Sequence, residues 1–353
     1  MKNEGIDFKR NNFNAIRLLA AFMVMSGHMA YLIGINRPIL FEQEIQSLGC
    51  KLFFIIGGYL ITESIVRDDN LIRYIVKRLA RIFPALVICI MFSVFVFGPI
   101  LSTLSFHDYF SNIGTYRYLK NIGLCIEYFL PGVFQNNPYP NAVNGSLWTL
   151  PIEFFMYFVI PAIYLILEKM GDGLKKYFLF MIVSLVCTGQ IYHLRYVPEA
   201  RYVFYNTDVF QAMDLIPFYI IGMLYSICDI KKYLNIQYAF VMVFLFSCLH
   251  LGLVANLVIS YILVPYIVLS FALEPCPKLY DVLKNFDISY GIYLYSFLVQ
   301  QMVVYFMMLL GCELSFFRCL FISFIITVAI AMLSERFVEK PAQDYAKKVL
   351  KKL

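Results

Sequence analysis

The chain has 353 residues, a formal net charge of +6 and 61% hydrophobic residues, with a mean hydropathy of +0.72. Soluble globular chains hold about 45–50% apolar residues, so this composition excludes an ordinary water-soluble domain. The positive balance requires no nucleic acid, because basic residues beside membrane helices are drawn to the anionic inner leaflet.

A helix that crosses a membrane needs about 20 apolar residues. After the polar start "MKNEGIDFKRNNFN", ten such segments are predicted, at 13–33, 48–66, 79–99, 147–167, 175–192, 208–227, 235–250, 256–273, 288–310 and 316–335. The pair between 235 and 273 is divided at "LHLGLVAN", where His250, Gly252 and Asn256 suit a tight turn. The fold class is therefore all-α, a polytopic membrane protein. The first apolar run carries no small-residue cleavage site and reads as a retained helix. Ten spans place both termini on one side. With that side cytoplasmic, Lys and Arg divide roughly three to one in its favour, as topology requires. Lys51 then counts among the few outer charges, and the long connection 100–146 faces outward. Residues 1–341 form the membrane domain and 342–353 a basic cytoplasmic tail. Nine cysteines lie mostly within apolar runs, without Cys-x-x-Cys, and read as small core residues. No metal site is predicted.

Four stretches carry chemistry. In "NAIRLLAAFMVMSGHMAYLIG", Arg17 and His28 stand eleven residues apart. At 100° and 1.5 Å per residue they share one helix face and are separated by about 16 Å along the axis. An arginine at a bilayer centre costs about 2.5–3.5 kcal/mol on insertion scales. Either both residues serve function, or Arg17 snorkels to headgroups and His28 makes a structural hydrogen bond. In "RYIVKRLARIFPAL", Arg78 and Arg81 are helix neighbours, and Lys77 and Arg73 extend the patch. The planar guanidinium fork suits phosphate, although topology alone also places basic residues there. "NGSLWTLPIEFFMYFVIPAIY" brings Ser146, the single tryptophan Trp148, and Glu153. If this segment is helical, Glu153 and His28 lie at equal depth below the outer surface, as a His–Glu pair or as a structural tie between helices. In "FQAMDLIPFYIIG", Asp214 either lines a channel or caps a helix broken before Pro217. The aromatic connection "SFHDYFSNIGTYRYLKNIGLCIEYFLPGVFQNNPYPNAVN" suits either a sugar or a lid on the bilayer. Its residues 122–134 are apolar enough to dip into the membrane.

Together these motifs resemble the acyltransferase-3 family of integral-membrane O-acyltransferases. Arg17 and His28 match its first-helix Arg and His pair. "GCKLFFIIGGYLI", "KRLARIFPA", "SLWTLPIEFFMY", "SYGIYLYS" and "VEKP" follow in the family's order. One position departs: where members often carry a second histidine, this chain has Ser296. The resemblance implies transfer of an acyl group, usually acetyl, from cytoplasmic acyl-CoA to a hydroxyl of a cell-surface or lipid-linked polysaccharide. It implies a multi-pass protein of the inner (plasma) membrane. Its partners would be acyl-CoA, a carbohydrate acceptor and membrane lipid, with acyl-CoA as co-substrate and no resident cofactor. His28 would act as general base or form a covalent acyl-histidine, with Glu153 and Arg17 as the other catalytic residues. Arg78, Arg81 and Lys77 would bind the donor, and Ser146, Trp148 and Asp214 the acceptor. The competing class is a transporter or flippase of a lipid-linked sugar, which inverted repeats would favour. None is visible in the sequence.

Overall fold

The computed structural model describes residues 11–67, 70–274, 277–283 and 287–351. The polar residues 1–10 and the last two residues of the basic tail lie outside them. Among the described residues, nine helices are long and apolar enough to cross a membrane. In a bilayer only a helix or closed barrel satisfies its own backbone, so long apolar runs become helices with little ambiguity. They are α1 (Phe13–Leu32), α2 (Ile45–Arg67), α3 (Leu71–Leu101), α4 (Thr149–Glu168), α5 (Asp172–Tyr196), α6 (Val209–Ile227), α8 (Leu253–Leu273), α9 (Ser289–Leu309) and α10 (Phe316–Leu350). The expected tenth span is α7 (Ile236–Cys248), with 13 residues. At 1.5 Å per residue it is about 20 Å long, shorter than the roughly 30 Å hydrocarbon layer. The break falls at 249–252, inside the expected "LHLGLVAN" turn.

Helix α2 is the central element, packed against α1, α4, α6 and α8. Small residues let the backbones close up. A Cβ at Gly58 would meet the Tyr219 carbonyl oxygen at 1.9 Å, and one at Gly222 would meet that of Ile55 at 2.3 Å. Neither has room for a methyl group, so α2 and α6 touch backbone to backbone. α6 runs unbroken through Pro217; the expected broken helix is not formed.

α3 is longer than predicted because a π-turn at Ser93–Phe97 carries it on to Leu101. Such a turn displaces backbone groups from the regular ladder. The Tyr109 hydroxyl donates to the Val94 carbonyl at 2.9 Å. The 102–148 connection is a folded cap rather than an open loop or a lid on lipid. Tyr109, Tyr118, Leu130, Val133 and Phe134 are buried within the protein, so the apolar character of 122–134 serves packing. Gln301 of α9 binds the carbonyls of Tyr139 and Ala142, and Asn144 donates to the Leu294 carbonyl. At the other end of the bundle, residues Lys340–Leu350 extend α10 and pack on α3, burying Ala346 and Leu350.

Candidate active site

Two cavities lie along the face that α1 turns inward. The first is lined by Arg17 of α1, Arg78 and Arg81 of α3, Glu153 and Tyr157 of α4, and Tyr290 and Tyr293 of α9. Its volume is about 80 Å³, a slot well below the roughly 300–1,000 Å³ of a drug-sized ligand site. Asp287, just ahead of α9, ties its arginines together. One carboxylate oxygen accepts from Arg81 Nη2 at 3.0 Å and from Arg17 Nη1 at 3.2 Å, and Ser289 donates to the other at 2.7 Å. Burial alone would raise this carboxyl, but Arg81 and Arg17 hold it well below the usual carboxylate range. Arg78 instead donates to Ser64 at 3.3 Å and lies over the rings of Tyr74 and Tyr157, 5.4 and 5.9 Å from their centroids. Its Nε has no partner among the described residues. Lys77 lies on the same helix but does not line the slot.

The second cavity, of about 550 Å³, is lined by His28, Tyr31, Arg37, Trp148, Asp214 and Phe297 among others. His28 Nδ1 lies 3.5 Å from Ser146 Oγ, and the imidazole packs edge-on against Phe297 at 5.2 Å. Two glycines beside these residues leave no room for a side chain. A Cβ at Gly27 would strike Gln46 Oε1 at 2.1 Å, and one at Gly145 would strike the Phe297 ring at 2.6 Å. Ser146 is held in turn, its carbonyl accepting from the Tyr293 hydroxyl at 2.9 Å, while that hydroxyl also contacts Thr149. Cys50 belongs to both linings, so the cavities stand on either side of it.

The structure thus sorts the expected residues into two groups. Arg17, Arg78 and Arg81 come together, as do His28, Ser146, Trp148 and Asp214. The expected His28–Glu153 pair is not formed. Glu153 lines the arginine slot and accepts from Tyr157 at 2.6 Å, whereas His28 lies level with Ser146, before α4 begins. Lys51, counted with the outer charges, is a buried residue inside α2, with Nζ 3.0 Å from Asp214 Oδ2. A lysine inside the apolar run "GCKLFFIIGGYLI" was the signal for it. Asp287 escaped sequence reasoning too, although an acid just before an apolar run and opposite a basic helix end marks such a bridge.

The acyltransferase domain family profile matches residues 10–336, from the start of α1 into α10. The chain belongs to the acyltransferase-3 family. This acyltransferase is similar to the O-acetyl transferase of Shigella phage Sf6, 30% identical over 341 residues that cover 94% of this chain and 96% of that protein. It is 31% identical over 170 residues to nodulation protein 10 of Rhizobium leguminosarum bv. viciae, covering 45% of each chain. It is 26% identical over 185 residues to the peptidoglycan O-acetyltransferase OatA of Listeria monocytogenes, covering 48% of this chain and 28% of that one. No solved structure matches it significantly. Both cavities of the acyltransferase lie within the matched region.

Proposed function

We propose that this membrane acyltransferase moves an acyl group, acetyl in the first instance, from acyl-CoA to a hydroxyl of a cell-surface or lipid-linked polysaccharide. The observation that carries the reading is the pair of cavities with Cys50 common to both linings. A cationic slot suits an anionic donor with a slender arm. A wider cavity around an imidazole suits a hydroxyl acceptor. With both termini cytoplasmic, as the charge bias favours, the slot faces the cytoplasm and the His28 cavity faces outward across the inner (plasma) membrane. The named activities of the phage and Listeria relatives support an O-acetyl product.

In this scheme the donor's phosphates meet Arg78 and Arg81 at the mouth of the slot, and its arm passes Arg17. The acceptor oxygen attacks the thioester carbonyl carbon and its proton passes to His28. The carbon–sulfur bond breaks, the ester forms, and coenzyme A leaves as a thiol with the proton returned from His28. Ser146 at Nδ1 fixes the ring and leaves Nε2 for the acceptor hydroxyl. Trp148 and Asp214 form part of the acceptor wall. Glu153 offsets the arginines and, through Tyr157, holds the slot in shape. Acyl-CoA is a co-substrate, and no resident cofactor enters.

The test is transfer of labelled acetyl from acetyl-CoA to the surface polysaccharide of the producing cell by the purified protein in detergent. Transfer with release of coenzyme A thiol is expected, and its loss in His28→Ala. Absence of transfer by the wild type, or normal transfer by His28→Ala, overturns the scheme.

A further inference from the structure

The His28 cavity does not end at Asp214. A third cavity of about 600 Å³ adjoins it, and Glu44, Ser47, Gln211 and Asp214 belong to both linings. Its walls come from the end of α5, the start of α6, the start of α8 and the hairpin between α1 and α2. The cations on this lining are already matched, and so are three of its carboxylates. Asp214 pairs with Lys51 at 3.0 Å, Asp208 with Arg201 at 3.2 Å, and Glu44 with Arg37. Glu42 accepts from the Leu251 N–H at 3.0 and 3.1 Å. Both cations of the lining are therefore occupied, and its four carboxylates repel an anion.

What remains is neutral, and two of its groups lack a partner. Gln190 and His193, one turn apart on α5, are 3% and 8% exposed. Gln190 Oε1 and His193 Nδ1 have no partner among the described residues. The His193 ring is held by stacking on Phe210, with centroids 4.0 Å apart and planes 9° from parallel, and Nε2 lies 3.4 Å from the Ala200 carbonyl. A buried acceptor without a donor is costly, and this wall carries two of them. A ligand that brings several hydroxyl donors and no charge answers that arrangement.

We propose that this cavity is a subsite for uncharged sugar units of the acceptor chain, next to the unit that is acylated. The inference rests on the acyltransferase reading above and deepens it. A chain lying through both cavities puts one hydroxyl at His28 and its neighbours at Gln190 and His193. The enzyme then reads a polymer and not a single sugar, and the selection is made away from the reacting atoms.

The experiment uses the full-length protein in detergent with acetyl-CoA. The acceptors are oligosaccharides of one and four repeats, cut from the polysaccharide of the producing cell. The readout is the ratio of kcat/KM for four repeats over one repeat, which is independent of the fraction of protein that is folded. The wild type is expected to prefer four repeats. In Gln190→Ala and His193→Ala the ratio should fall about threefold to tenfold each, the worth of one neutral hydrogen bond. A wild-type ratio near one overturns the subsite, and so does an unchanged ratio in both variants. A wild type that acylates neither acceptor overturns the acyltransferase scheme itself, a result distinct from either of these.

Discussion

At the scale of single residues, variants of His28 and Asp287 test the proposed chemistry and the scaffolding separately. If His28 takes the acceptor's proton, His28→Ala should lower turnover by about 10²–10⁴-fold while acyl-CoA still binds. Single-turnover transfer and donor binding, measured on one preparation, check this. Asp287 acts through charge. Asp287→Ala leaves Arg17 and Arg81 facing each other without their shared anion. The expected loss of stability is about 1–3 kcal/mol, reduced from the buried-pair value because the bridge is partly open to solvent. Thermal unfolding in detergent reads it. The sign of the pH effect follows from the lowered Asp287 carboxyl. A depressed pKa contributes stability that is complete above the unfolded value of about 3.9 and is lost only as pH falls towards the lower folded value. Acidification from neutral to about pH 5 therefore leaves the bridge intact, and a fall in transfer over that range has its origin outside the bridge. Unfolding midpoints that drop together with transfer would contradict this separation. Glu153→Gln should change the KM for acyl-CoA more than that for the acceptor, because Glu153 lies with the arginines. The opposite split would return it to the side of His28.

At the scale of helices, close backbone contact between α2 and α6 holds Tyr219 against the floor of the slot. Gly222→Ala puts a methyl group against the Ile55 carbonyl. Overpacking of this kind costs about 1–3 kcal/mol, which should appear as a lower melting temperature and a reduced monodisperse yield. The helices themselves were legible because each apolar run must satisfy its own backbone in lipid. The exceptions have physical causes. α3 overran its predicted end through a π-turn that a partner tyrosine stabilises, and nothing in residues 93–97 alone announces Tyr109. The cap at 102–148 looked membrane-seeking because Leu130, Val133 and Phe134 are apolar, but their partners are other parts of the protein. Depth along a helix can be counted from sequence, as it was for Arg17 and His28. Rotation and lateral placement cannot, so Glu153 was paired with the wrong residue. Lys51–Asp214 and Arg17–Asp287–Arg81 join segments far apart in the chain, and no spacing rule within one helix reveals them.

At the scale of the whole molecule, direction is the quantity to measure. Reporter fusions after residue 353 and within 228–234 should read cytoplasmic, and fusions within 102–148 external. A cytoplasmic signal from the cap would invert the assignment of donor and acceptor sides. The single residue shared by the arginine slot and the His28 cavity has a further consequence, for descent. In the proposed scheme donor recognition and acceptor recognition draw on almost disjoint sets of side chains, so mutation can explore one without disturbing the other. On that scheme a lineage can retain Arg17, Arg78 and Arg81, and with them its source of activated acyl groups, while the walls at 190–214 drift with each new polymer. Variation in this protein should accumulate on one side of Cys50, and a host that alters its coat need recruit only a handful of substitutions to have the new one decorated.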